Sequence, residues 1–220
     1  MKRFFKRTSK ASKYPKFWQE YDALFSDKQT PSLTDTRFVV FDTETTGFNY
    51  HIDRILSLGA VDILNNEIQV SNAFEIYIQQ ERFNEQTVAI HGIIQHERIQ
   101  TYTEAKAIEQ FLNYIGNSIL VAHHALFDIT MINQMLHRHG LPELKNKMMD
   151  TVNLYKATRL KSNLIKQDNY SLDEIAENYA LDVSDRHTAA GDAFLTAIIF
   201  LKTTALLQKK KNFKLKQFVK

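Results

Sequence analysis

The sequence predicts an α/β chain in which a mixed five-stranded sheet is flanked by helices. Three observations carry this. Apolar, β-rich runs come first and are joined as hairpins; from about residue 85 the period turns helical, and short strands then alternate with helices. The length of 220 residues, with 44% hydrophobic and 24% charged, suits one domain with extensions and a sizeable core.

The chain opens with a basic stretch, residues 1–16, holding seven Lys or Arg and no acid. Phe17, Trp18, Tyr21, Leu24 and Phe25 follow at helical spacing and predict a short helix docked on the core. A polar linker with Pro31 leads to the apolar run Phe38, Val39, Val40 and Phe41, which reads as a buried strand. Two longer strands, 55–64 and 68–78, are joined by Asn65-Asn66, a dipeptide that tolerates positive φ, so the first three strands form an antiparallel meander. A helix over 104–115 stops at Gly116; a strand over 118–122 and a helix over 127–137 follow, the latter ending before Gly140-Leu141-Pro142. Residues 148–151 read as a brief strand entering a helix, Ser171 to Glu174 as a capping box opening another through Tyr179, and 189–207 as the last helix. The organisation is a basic N-terminal extension with a short helix (1–35), a main domain (36–207) and a basic C-terminal tail (208–220).

Composition excludes several classes. With no cysteine there is neither a disulfide nor a thiolate metal site. No run of about 18 apolar residues is evident, so no membrane partner is expected. The basic N-terminus lacks an apolar h-region, and a cytoplasmic location is the expectation. Residues 208–220 add six Lys and no acid, so against a net charge of +3 the body between the tails carries −10. An acidic body tolerates divalent cations, while basic tails attract polyphosphate chains or simply solubilise.

Chemistry concentrates in three places. Asp42 and Glu44 share a face at the end of the opening strand, just before Gly47, where like charges repel unless a cation or a shared proton compensates. Taken alone the pair reads first as a solvated turn that also caps a helix. Asp128 follows His123-His124 and sits in the first turn of an apolar helix, where it could merely complement the helix dipole. His187 and Asp192, five apart, would lie about 140° apart on one helix, and converge only if His187 precedes it on a loop. Four carboxylates without cysteine select hard cations, Mg²⁺ or Mn²⁺, and a pair of these can support in-line phosphoryl displacement, with the histidine as general base. Together the segments read as metal-dependent phosphodiester hydrolysis.

The ordered segments Asp42-Thr43-Glu44-Thr45-Thr46-Gly47, His123-His124-Ala125-Leu126-Phe127-Asp128 and His187-Thr188-Ala189-Ala190-Gly191-Asp192 resemble the DEDDh branch of the DnaQ-like 3′-to-5′ exonucleases, which includes bacterial polymerase III epsilon proofreading subunits. The similarity runs from about residue 36 to 205, with His91-Gly92-Ile93 and Asp150-Thr151 as secondary features. It implies a ribonuclease H-like fold, two divalent cations (Mg²⁺ or Mn²⁺) on Asp42, Glu44, Asp128 and Asp192, and His187 as general base. It also implies that Thr43, Thr45 and Phe48 lie near the 3′-terminal nucleotide. His124 stands where the family commonly has Asn, and is counted with the substrate-binding residues. The implied activity is release of nucleoside 5′-monophosphates from single-stranded or frayed 3′ ends of DNA, with a DNA polymerase subunit as possible partner. An RNA-trimming exoribonuclease and a non-catalytic nucleic-acid-binding or polymerase-associated subunit are the alternatives.

Overall fold

The apolar run Phe38 to Phe41 is buried on both faces because β1 (Phe38–Thr45) is an interior strand of the sheet. A computed structural model describes residues 13–26, 31–80, 100–159 and 170–220. Strand β1 pairs antiparallel with β2 (Ile55–Leu64), which pairs antiparallel with β3 (Glu67–Ile78). Asn65 and Asn66 join them with φ of 54° and 61°, the doubly left-handed turn that matches strand twist. On its other side β1 pairs in parallel with β5 (Ile119–Ala122), and β5 with β6 (Met148–Asp150).

The expectation of five strands is corrected to six. Strand β4 (Thr101–Tyr102) pairs in parallel with Tyr77 and Ile78, giving the order β4-β3-β2-β1-β5-β6. Two residues are too few to show a hydrophobic period. His91-Gly92-Ile93 and the onset of helical period near residue 85 fall outside the described residues, as do residues 1–12.

Alternation divides the core into two layers. Val39 and Phe41 face α1 (Lys16–Ala23), α2 (Glu104–Ile115) and α3 (Leu126–Arg138), whose Trp18, Phe111 and Met131 are buried with them. Phe38 and Val40 face the other way, toward Leu154 of α4 (Thr151–Thr158) and Phe200 of α6 (Ala189–Gln208). A smaller cluster around Ile175 and Ile199 attaches α5 (Leu172–Asn178) to α6. The predicted docking of α1 holds for Trp18 and Tyr21, both 2% exposed, but Leu24 is 46% exposed and is corrected.

Helix α6 positions the site. A Cβ on Gly59 would lie 2.1 Å from the Ala189 carbonyl carbon, so the start of α6 rests directly on the β2 backbone. By length and mean hydropathy the same helix is apolar enough to cross a membrane, although Asp192 and Lys202 keep it from being an unbroken apolar run. It is instead 56% buried in the fold, lies on β1 and β2, and carries Asp192.

The basic C-terminal segment, read as a tail, is docked in its distal part. Leu215 is buried, Phe213, Phe218 and Val219 pack beside it, and Lys220 exchanges two backbone hydrogen bonds with Met148, at 2.9 and 3.0 Å. Lys210 Nζ donates to the Ala157 carbonyl at 2.6 Å, near the end of α4, where a cation complements the exposed carbonyls.

Gly59→Ala is expected to cost about 1–3 kcal/mol through overpacking. Chemical denaturation of the variant checks this, and an unchanged midpoint would contradict the close approach of α6 to β2.

Candidate active site

The carboxyl end of β1 is where helices from both sheet faces arrive by their N-termini. Asp42 and Glu44 continue the register of Phe38 and Val40 toward the α6 side, and Asp192 comes from the first turn of α6. One carboxylate oxygen from each of the three lies within 4.8 Å of the others. Asp128, in the first turn of α3, approaches from the opposite layer; its Oδ1 accepts from the Thr43 backbone N–H (3.1 Å) and hydroxyl (2.7 Å). The four predicted carboxylates therefore form a compact trio plus a fourth across β1, whose charge is felt at Asp42.

This crowding raises proton affinity. Burial, then the charges of Asp128, Asp192 and Glu44, push Asp42 well above the carboxylate range, against the lowering effect of Arg186. Burial, followed by Asp192, pushes Glu44 up to about 7. Asp128 is also pushed up to about 7 by burial, opposed by its hydrogen bonds from Thr43. Asp192 Oδ1 is buried with no hydrogen-bond partner among the described residues. An all-oxygen, electron-rich donor set with an unpartnered buried oxygen fits a hard divalent cation.

The loop ahead of α6 supplies the third motif. Thr188 caps the helix by accepting from the Gly191 N–H at 3.0 Å and donates to the Asp185 carbonyl at 2.9 Å. A Cβ on Gly191 would stand 2.1 Å from that same carbonyl, so only glycine lets the loop fold this tightly. His187 is on the loop, as expected, exposed and with φ of 65°; no hydrogen bond or ion pair joins it to the carboxylates. Sequence reasoning missed Arg186. Its Nη1 pairs with Asp192 Oδ2, while Nε and Nη2 grip the two oxygens of Asp173 on α5 at 2.6 and 3.2 Å. Adjacency to His187 was the only available signal.

The second motif separates into roles. His123 Nε2 donates to the Tyr170 carbonyl and its Nδ1 accepts from the Thr151 hydroxyl, both at 2.9 Å, the tautomer being set by the carbonyl. Burial pushes its pKa down to about 4, so it is a neutral tie between β5, α4 and the segment before α5. His124 is exposed with φ of 57°, and its N–H donates to Asp150 Oδ1, which also caps α4. That left-handed backbone is one in which Asn and His are both enriched.

After β1 the chain is held by Asp53. Its carboxylate accepts from the Thr46 hydroxyl (2.8 Å) and the Asn49 N–H (2.9 Å), and leaves no room for a Cβ on Gly47. Of the residues predicted near substrate, Thr43 and Thr45 use their hydroxyls within the protein, on Asp128 and the Gly47 carbonyl. Phe48 is 78% exposed and leans on Phe127, with ring centroids 5.7 Å apart; Tyr50 contacts Phe127 at the same distance.

Comparison with known proteins places this geometry. The RNase_T exonuclease family model matches residues 39–200. The chain belongs to the DnaQ-like exonuclease family. It is 34% identical over 180 residues to DNA polymerase III subunit epsilon of Buchnera aphidicola subsp. Baizongia pistaciae, covering 78% of this chain and 72% of the relative. It is 30% identical over 179 residues to the PolC-type DNA polymerase III of Thermotoga petrophila, covering 81% of this chain but only 12% of that much longer protein. Among solved structures, exonuclease X in complex with 5′ overhanging duplex DNA superposes with a TM-score of 0.60 at 22% identity, over 83% of this chain and 96% of that one. E. coli exonuclease I bound to single-stranded DNA gives 0.67 at 16% identity, over 80% and 42%. The fold is ribonuclease H-like, as expected.

A carboxylic acid whose pKa is higher folded than unfolded stabilises the fold fully below the unfolded value, and that stability is lost as pH rises through the folded value. For Glu44 and Asp128 the window runs from the ordinary carboxylate range to about 7. The metal-free protein is therefore expected to lose thermal stability as pH rises across this window, and Asp42→Asn to reduce the loss. Melting curves in chelator check this; a stability that rises with pH there would contradict the crowding.

Proposed function

We propose that this protein is a metal-dependent 3′-to-5′ exonuclease acting on DNA ends and releasing nucleoside 5′-monophosphates. The convergence of Asp42, Glu44 and Asp192 at the end of β1 carries the reading. These three would hold one divalent cation, Mg²⁺ or Mn²⁺, and Asp42 with Asp128 a second. Bound there, such ions supply Lewis-acid activation of water and neutralise the leaving oxygen. His187, poised on the solvent side of the loop before α6, accepts the proton of the attacking water. Phe48, seated on Phe127, offers a ring face to a terminal base, and His124, exposed beside His123, is a second side chain open to the substrate. Thr43 and Thr45 act by shaping the site, since their hydroxyls are held by Asp128 and Gly47.

DNA as substrate and a polymerase as partner are supported by what the relatives are: a polymerase III subunit, and exonucleases bound to single-stranded or overhanging DNA. With Mg²⁺ or Mn²⁺, a 5′-labelled single strand is expected to yield a ladder of shortened labelled products, beside an RNA strand as comparison. Asp42→Ala is expected to abolish the ladder and His187→Ala to slow it by roughly 10²–10⁴-fold. Activity retained by Asp42→Ala, or early release of the 5′ label as mononucleotide, would overturn the reading.

The N-terminal basic stretch is assigned a separate, electrostatic role. Deleting residues 1–12, which spares α1, is expected to weaken single-strand binding and to flatten the slope of log K against log salt, by about 0.7 for each phosphate that is no longer neutralised. An unchanged slope in a salt titration would leave the stretch without a role in binding.

A further inference from the structure

Arg186 places a guanidinium against the carboxylate cluster. Three of its nitrogens are engaged: Nε and Nη2 form a two-bond fork on Asp173, and Nη1 pairs with Asp192 Oδ2. The arginine side chain is 14% exposed and Asp192 8%, so that ion pair is shielded, whereas Asp173 is 61% exposed. Asp192 is at the same time one of the three residues that converge as a metal site. One buried carboxylate thus faces two cations, one fixed in the chain and one that must come from solution.

The surroundings restrict how this competition is resolved. The backbone at Arg186 is pinned, because the Asp185 carbonyl abuts Gly191 and accepts the Thr188 hydroxyl. Asp173 is pinned as well, in the first turn of α5, whose capping box joins Ser171 to Glu174. Only the side chain can give way, and two of its nitrogens already lie on Asp173.

We infer that Arg186 is the resident counter-ion of Asp192 in the metal-free protein and competes with the divalent cation for it, Asp173 retaining the guanidinium when the cation takes over. The inference rests on the proposed metal site. Arg186 is here a positioning residue: it keeps Asp192 in place while the site is empty and sets the affinity at which the site fills. Removing one partner of a buried pair leaves the other uncompensated, so loss of Arg186 destabilises the empty site and favours its filling. Loss of the charge on Asp173 does the reverse, since the guanidinium is then left to Asp192 alone.

Calorimetric titration with Mn²⁺ on the full chain tests this. Arg186→Gln is expected to bind Mn²⁺ about tenfold more tightly and to melt lower in chelator, while Asp173→Asn is expected to bind about tenfold more weakly, the scale on which groups around a metal ligand act. Opposite directions are the signature, because general loosening of the fold would weaken binding in both. Should Arg186→Gln fail to fold, Asp173→Asn and Arg186→Lys, which keeps the charge without the fork, carry the test. Asp173→Asn binding as tightly as wild type, or Arg186→Gln binding no more tightly, overturns the inference. Wild type that binds Mn²⁺, with Asp42→Asn that does not, upholds the metal site independently; wild type that binds none removes both.

Discussion

Mutual repulsion among carboxylates at the carboxyl end of β1 is the constraint the neighbouring structure answers. Burial and like charge raise Asp42, Glu44 and Asp128 together, so the metal-free protein stabilises protonated acids at a pH where exposed ones are ionised. Thr43 answers for Asp128 with two hydrogen bonds, Arg186 for Asp192 with a charge. Glu44 gains only the partial offset of the Arg186 charge, and Asp192 keeps a buried oxygen that has no hydrogen-bond partner among the described residues. The fold thus holds electrostatic strain that a divalent cation bound there would relieve, which would tie metal binding to folding stability.

Bringing the acids together depends on backbone contact more than on the acids themselves. Gly59 lets α6 rest on β2, Gly191 lets the preceding loop close over the helix start, and Gly47 makes room for Asp53 beneath the turn after β1. Each would place a Cβ within 2.5 Å of another atom. The glycines set the distances, and the carboxylates exploit them.

Much of this was legible because it is local. The Asn65-Asn66 turn, the stop at Gly116 and the capping box at Ser171 are each written within a few consecutive residues, and the structure follows them; the three ordered motifs are as local, and their carboxylates meet at the end of β1. The illegible parts are those made by distant partners. Arg186 meets Asp173 thirteen residues away only because α5 packs on α6, and Asp53 acts across a turn whose shape is not a repeat. The C-terminal lysines read as a solvated tail because charge dominates the pattern, yet the apolar residues between them, Phe213, Leu215, Phe218 and Val219, find a buried surface. Strand β4 is too short to announce itself.

Position 124 separates two properties that usually travel together. Its left-handed backbone and its N–H bond to Asp150 set the path of the chain between β5 and α3, while its exposed side chain rests edge-on against the His123 ring, with centroids 4.9 Å apart. Exchanging it for another residue able to take that backbone removes this one ring contact, while His123 stays tied to Thr151 and Tyr170 and Asp128 to Thr43. On the proposed reading of His124 as a substrate contact, an exchangeable side chain thereby sits beside a fixed carboxylate geometry, and preference among chain ends could be engineered there independently of the chemistry.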